Sequence, residues 1–144
     1  MRSEDAGMPR IAVLVGSPRK NGACARFAAE LEDALHGAGA VAELLFLSDY
    51  EVLGCVGCGA CERTGACVLD AREGAGSRPG FACLLKRLQA ADALALVAPV
   101  YFSGPPSQLK AVLDRMQPLW CQRYLLGRRP VRPLERRRPL DRFV

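Results

Sequence analysis

Apolar runs and helix-period stretches take turns along the chain. Ile11-Ala-Val-Leu-Val15 is unbroken and rich in β-branched residues, the pattern of a strand covered on both faces, and predicts a strand over 10–15. From Asn21 to about His36, Ala25, Phe27, Ala28, Leu31, Ala34 and Leu35 recur at helical spacing, and Gly37 or Gly39 supplies the stop. Val41 to Leu47 predicts a second strand, and Ala93 to Ala98 a third, buried one. Helices are predicted over 81–91, through Phe81, Leu84, Leu85 and Leu88, and from about Ser107 to Met116, through Leu109, Val112, Leu113 and Met116. Strands that alternate with helices in this way imply an α/β fold, a parallel sheet with right-handed crossovers.

Two segments break the alternation. Residues 48–80 form a long connection that holds a cysteine cluster and a Gly/Ser/Pro stretch at 73–80, and loops of that length are functional or mobile. Residues 123–144 hold eight Arg and three Pro with no run of four apolar residues. A Pro-interrupted segment cannot be a central strand. A domain over 10–120 is therefore expected, with an unstructured N-terminus at 1–9 and an unstructured Arg/Pro-rich tail at 121–144.

Composition narrows the class. The 144 residues are 50% hydrophobic, which rules out disorder throughout. No apolar run approaches the roughly 20 residues of a membrane span. The charged first ten residues lack an apolar signal core, so a cytoplasmic protein without membrane contact is expected. The net charge of +5 belongs to the tail: residues 1–114 carry 11 Lys and Arg against 13 Asp and Glu, and residues 115–144 carry nine Arg against two acids. Such a tail could hold nucleic-acid phosphates. Its scarcity of aromatics, its prolines and the lack of a recognisable module argue against that partner.

Three motifs carry candidate chemistry. Gly16-Ser-Pro-Arg-Lys-Asn-Gly22 follows the first strand and opens a helix, so loop amides, the Ser17 hydroxyl and the Arg19 fork surround the positive end of a helix dipole, a phosphate site. Pro99-Val100-Tyr101-Phe102-Ser103-Gly104 leaves the end of the third strand, where such sheets bind ligands in the switch-point crevice, although Tyr101 and Phe102 also suit an ordinary core. Cys55, Cys58, Cys61 and Cys67 lie within thirteen residues of a chain with seven cysteines and no export signal. That spacing favours metal or redox chemistry over a disulfide framework. An iron–sulfur cluster, bare redox thiols and zinc all remain open for them. Cys24, Cys83 and Cys121 have no partner pattern and suit small apolar packing positions. His36, the single histidine, falls near a helix end and has no catalytic context, and no catalytic residue is assigned.

In this order, the three motifs resemble the flavodoxin-like NAD(P)H-dependent FMN reductases, and among them the iron–sulfur flavoproteins, over residues 10 to about 116. The resemblance implies a flavodoxin-like α/β/α fold with strand order 2-1-3 in the part present. It also implies FMN phosphate bound at Ser17, Arg19, Asn21 and Gly22, with Cys24 in the same cofactor site, and the flavin ring along Pro99 to Gly104. Where relatives carry Thr or Ser the chain has Cys24, whose thiol donates weakly, so a weakened flavin affinity is expected. The cysteines match the compact motif that implies a [4Fe–4S] centre, with NAD(P)H as electron donor, a small-molecule or protein electron acceptor, and a dimer or tetramer. A non-enzymatic electron-transfer flavoprotein is the alternative. Relatives continue past the last helix with two further strand–helix units, so a C-terminally truncated, inactive fragment is also expected as a reading.

Overall fold

The burial of β1 (Arg10–Val15) organises the molecule. In the computed structural model, which describes residues 7–129, Ala12, Val13, Leu14 and Val15 are wholly buried, as their continuous apolar run requires. Strand β2 (Val41–Phe46) pairs in parallel with one edge of β1, and β3 (Ala93–Val97) pairs in parallel with the other. The order is β2-β1-β3, so the chain crosses over β1 between its second and third strands. This is the flavodoxin-like arrangement.

Helices cover both faces. On one, Val13, Val15, Ala42 and Val97 pack with Ala28 of α1 (Ala23–Gly37). On the other, Ala12, Leu14 and Leu45 pack against Phe81 and Leu84 of α3 (Phe81–Ala90) and Leu109 and Val112 of α4 (Ser107–Asp114). The period-two alternation of β1 thus feeds two separate cores. The long connection after β2 contains a short helix, α2 (Ala60–Thr64), and helical turns at Leu47–Asp49 and Val68–Ala71. No helix among the described residues is long and apolar enough to cross a membrane.

Several expectations need correction. Phe27 is 57% exposed: Ala25 and Ala28 take the inward positions of α1, and Phe27 lies off that stripe. The third strand is not buried. Leu94 and Leu96 are 45% and 47% exposed, because β3 is the edge of the sheet and has no strand on its outer side among the described residues. Leu113 is also exposed.

The helical region extends beyond 120 as α5 (Gln117–Tyr124), with Pro118 in its first turn, where the missing N–H is not needed. Residues 121–124 therefore belong to a helix that packs on α2, not to an unstructured tail, and Cys121 is wholly buried. The expectations for 1–6 and 130–144 lie outside the described residues.

Candidate functional site

The loops after β1, β2 and β3 all leave the carboxyl edge of the sheet, and they carry the three predicted motifs. In the first, Gly16 N–H donates to the carbonyl of Val97 at 2.9 Å, which seats the loop on β3. A Cβ at Gly16 would stand 3.1 Å from Ala98 Cβ and 3.3 Å from Leu109, so only glycine fits without displacement. Ser17 is buried, and its Oγ accepts from the backbone N–H of Arg19 at 3.2 Å, tightening the turn. Arg19 and Asn21 are exposed. Gly22 caps α1 in an extended conformation; no side chain caps that helix, and its first turn holds no acid. A helix start with open amides and no negative charge suits an anion.

Lys20 of this loop and Cys24 of α1 make further contacts. Lys20 is ion-paired with Asp49 and lies 5.9 Å from the centre of the Phe46 ring, so its charge is directed to the end of β2. Cys24 packs against the Val13–Ala28 core and is half-buried, in keeping with the apolar packing expected of its small side chain.

The loop after β3 is a tight hairpin. Tyr101 and Gly104 exchange two backbone hydrogen bonds of 2.8 and 3.0 Å, and the residues between them, Phe102 and Ser103, both have positive φ, 44° and 63°. That is the backbone of a type I′ turn, which ordinarily takes Asn and Gly. A bulky side chain in the left-handed region is strained. Phe102 is also completely exposed, and Val100 and Tyr101 are 76% and 48% exposed, so the reading of Tyr101 and Phe102 as core aromatics fails. The turn therefore combines backbone strain with an unburied aromatic, and it leaves the same edge of the sheet as the 16–22 loop.

The cysteine loop encloses a cavity of about 480 Å³ lined by Cys55, Cys58, Cys61 and Cys67, with Leu113 and Arg115 on the α4 side. The four sequence-predicted cysteines thus line one pocket. Cys55 and Cys58 are exposed, and Cys61 and Cys67 half-buried. Thiols are the donors a soft metal or an iron–sulfur centre takes, so the donor chemistry fits such a group. Among the described residues, however, no three Cys, His, Asp or Glu side chains stand close enough together to hold a metal ion. Burial pushes the Cys61 thiol above its usual pKa, and the Cys121 thiol beside it adds to the rise.

Sequence reasoning missed the residue that closes this loop. Arg115, just past α4, is 1% exposed. It donates to Glu73 Oε1 and Asp70 Oδ1, each at 2.6 Å, and to the carbonyl of Leu53 at 3.0 Å, and stacks 4.7 Å from the centre of the Phe81 ring. Glu73 in turn accepts from the N–H of Leu53 at 2.6 Å and that of Phe81 at 3.0 Å. Burial opposes the Arg115 charge, but the hydrogen bond and charge of Glu73 outweigh it and hold its pKa above the ordinary value. The available signal was slight: an arginine at the end of an amphipathic helix reads as surface.

Comparison with known proteins follows the same lines. The family model for NADPH-dependent FMN reductase matches residues 9–134. An iron–sulfur flavoprotein of Methanocaldococcus jannaschii is 35% identical over 106 residues, which cover 72% of this chain and 50% of that protein. One from Methanosarcina thermophila is 32% identical, over 74% of this chain and 51% of its own length. A third, from Archaeoglobus fulgidus, is 30% identical over 80% of this chain and 49% of its length. The chain spans about half the length of these relatives. No solved structure matches it. A phosphate-type loop after β1, an aromatic turn after β3 and a cysteine loop after β2, on a sheet of order β2-β1-β3 matched across its whole extent, place the chain in the NADPH-dependent FMN reductase family, beside the iron–sulfur flavoproteins.

Proposed function

We propose that this chain binds FMN at the carboxyl edge of its sheet and acts as an oxidoreductase. In this reading bound FMN would take electrons from NAD(P)H, for delivery to a quinone, a free flavin or a cluster that Cys55, Cys58, Cys61 and Cys67 would hold. The observation that carries the proposal is the loop at 16–22: a buried serine and a glycine-only approach to β3, at the head of a helix that no side chain caps.

Each residue has a defined task. The amides of the 16–22 loop, Ser17 Oγ, Asn21 and the Arg19 guanidinium bind and orient the phosphate, each charge-assisted bond contributing about 1.5–3 kcal/mol. The backbone of Pro99 to Gly104 supplies hydrogen-bonding groups to the ring edge, and Tyr101 and Phe102 exclude water from one side. When bound, the flavin supplies the chemistry of hydride acceptance and onward electron transfer, and no protein acid or base is required. Cys55, Cys58, Cys61 and Cys67 would hold the iron–sulfur centre. The exposed Leu94, Leu96 and Phe102 favour association with further protein along the β3 edge, a homo-oligomer included.

Anaerobic oxidation of NADPH and of NADH, with FMN bound and a quinone as acceptor, tests the activity. Acceptor-dependent turnover supports the reductase. Bound flavin without turnover would retire it and leave a protein-to-protein electron carrier. Iron and acid-labile sulfide near about four of each per chain would support the cluster; zinc or bare thiols would replace it.

A further inference from the structure

Cys61 and Cys121 lie 60 residues apart in sequence, yet their sulfurs stand 3.9 Å from each other. The approach is fixed by the packing of α5 on α2. Gln122, next to Cys121, donates to the carbonyl of Gly65 at 2.6 Å, and Arg128 donates to that of Thr64 at 3.0 Å. Gly65 closes α2 through its N–H to the carbonyl of Cys61, in a left-handed conformation, and a Cβ there would stand 2.8 Å from Gln122 Cγ. Both thiols are thus held by neighbours that are themselves tied across the interface. They differ in access: Cys61 lines the cavity, whereas Cys121 is wholly buried behind it.

We propose that Cys61 and Cys121 are an oxidation site, forming a reversible disulfide that removes Cys61 from the four cavity thiols and locks α2 to α5. The sulfurs need to close from 3.9 Å to about 2.05 Å. Hydrogen peroxide entering the cavity is the oxidant. Cys61 Sγ attacks one peroxide oxygen as the thiol gives up its proton; an S–O bond forms, the O–O bond breaks, and the departing oxygen leaves with that proton as water. Cys121 Sγ then attacks the Cys61 sulfenic sulfur, forming the S–S bond and releasing the second oxygen, with the Cys121 proton, as a second water. Two thiols lose two electrons, and one peroxide becomes two waters. Cys55 and Cys58, by contrast, are exposed. The site rests on the Cys61–Cys121 contact and belongs to the cluster-free chain, because a Cys61 sulfur bound to iron is closed to peroxide.

The full chain in its metal-free, reduced form, treated with one equivalent of hydrogen peroxide, is quenched with N-ethylmaleimide in denaturant and digested without reduction. Tandem mass spectrometry then locates the cross-links and separates Cys61 from Cys55 and Cys58. The expected result is loss of the maleimide label at Cys121 and a peptide pair joined through Cys61, two hydrogens lighter than the reduced pair and restored by dithiothreitol. In Cys121→Ser, Cys61 should stop at a sulfenic acid that dimedone traps. Oxidation of Cys61 with Cys121 still fully labelled, or pairing of Cys61 with Cys55, Cys58 or Cys67 instead, would overturn the proposal, and the unsubstituted chain decides this even if the variant fails to fold.

Discussion

The guanidinium of Arg115 and the carboxylate of Glu73 meet in the interior, Nη1 2.6 Å from Oε1, and together they hold both backbone polar groups of Leu53. Leu53 stands just before Cys55. Asp70, just after Cys67, takes the other arm of the same guanidinium. One buried cation therefore fastens both ends of the cysteine loop to the end of α4, and the cavity geometry depends on it.

Removing that cation leaves Glu73, whose side chain is 1% exposed, as an uncompensated buried charge. Arg115→Met is expected to cost about 3–5 kcal/mol in urea unfolding. The paired change Arg115→Met with Glu73→Leu should cost clearly less than the sum of the two single changes. Additive losses would show that the two residues act independently.

The phosphate-type loop gives a separable effect. Ser17→Ala removes one hydroxyl and releases the Arg19 amide, so FMN affinity should fall by about 1.5 kcal/mol, roughly tenfold, with little change in unfolding. Gly16→Ala introduces a Cβ 3.1 Å from Ala98 and should destabilise the chain itself by about 1–3 kcal/mol. Flavin fluorescence titration and thermal unfolding, run on both variants, distinguish affinity loss from fold loss.

Phe102 offers a prediction with opposite signs. Its φ of 44° is strained for a bulky residue and free for glycine. Phe102→Gly should stabilise the flavin-free chain by about 1 kcal/mol and weaken FMN binding. Equal or lower stability would mean that the turn is not strained.

Much of this was legible in the sequence, for physical reasons that differ by element. β1 is found over its predicted span because an uninterrupted β-branched run has few alternatives, and the two-sided core follows from it. The motif loops were legible because they must follow strands. The Arg115–Glu73 pair was not, because a buried charge depends on a partner 42 residues away that local pattern does not encode. α5 was hidden by its short length and weak amphipathicity, and the Cys61–Cys121 contact depends on it. The exposure of Leu94 and Leu96 depends on what lies beyond β3, which an apolar run does not report.

The most direct test of the central claim is the affinity of the full chain for FMN against riboflavin, which lacks only the phosphate, measured by fluorescence titration. If the 16–22 loop holds the phosphate, FMN should bind about 100-fold more tightly, near 3 kcal/mol, and the gap should narrow in Ser17→Ala. Equal affinity for the two flavins, or binding of neither, would contradict the assignment of that loop.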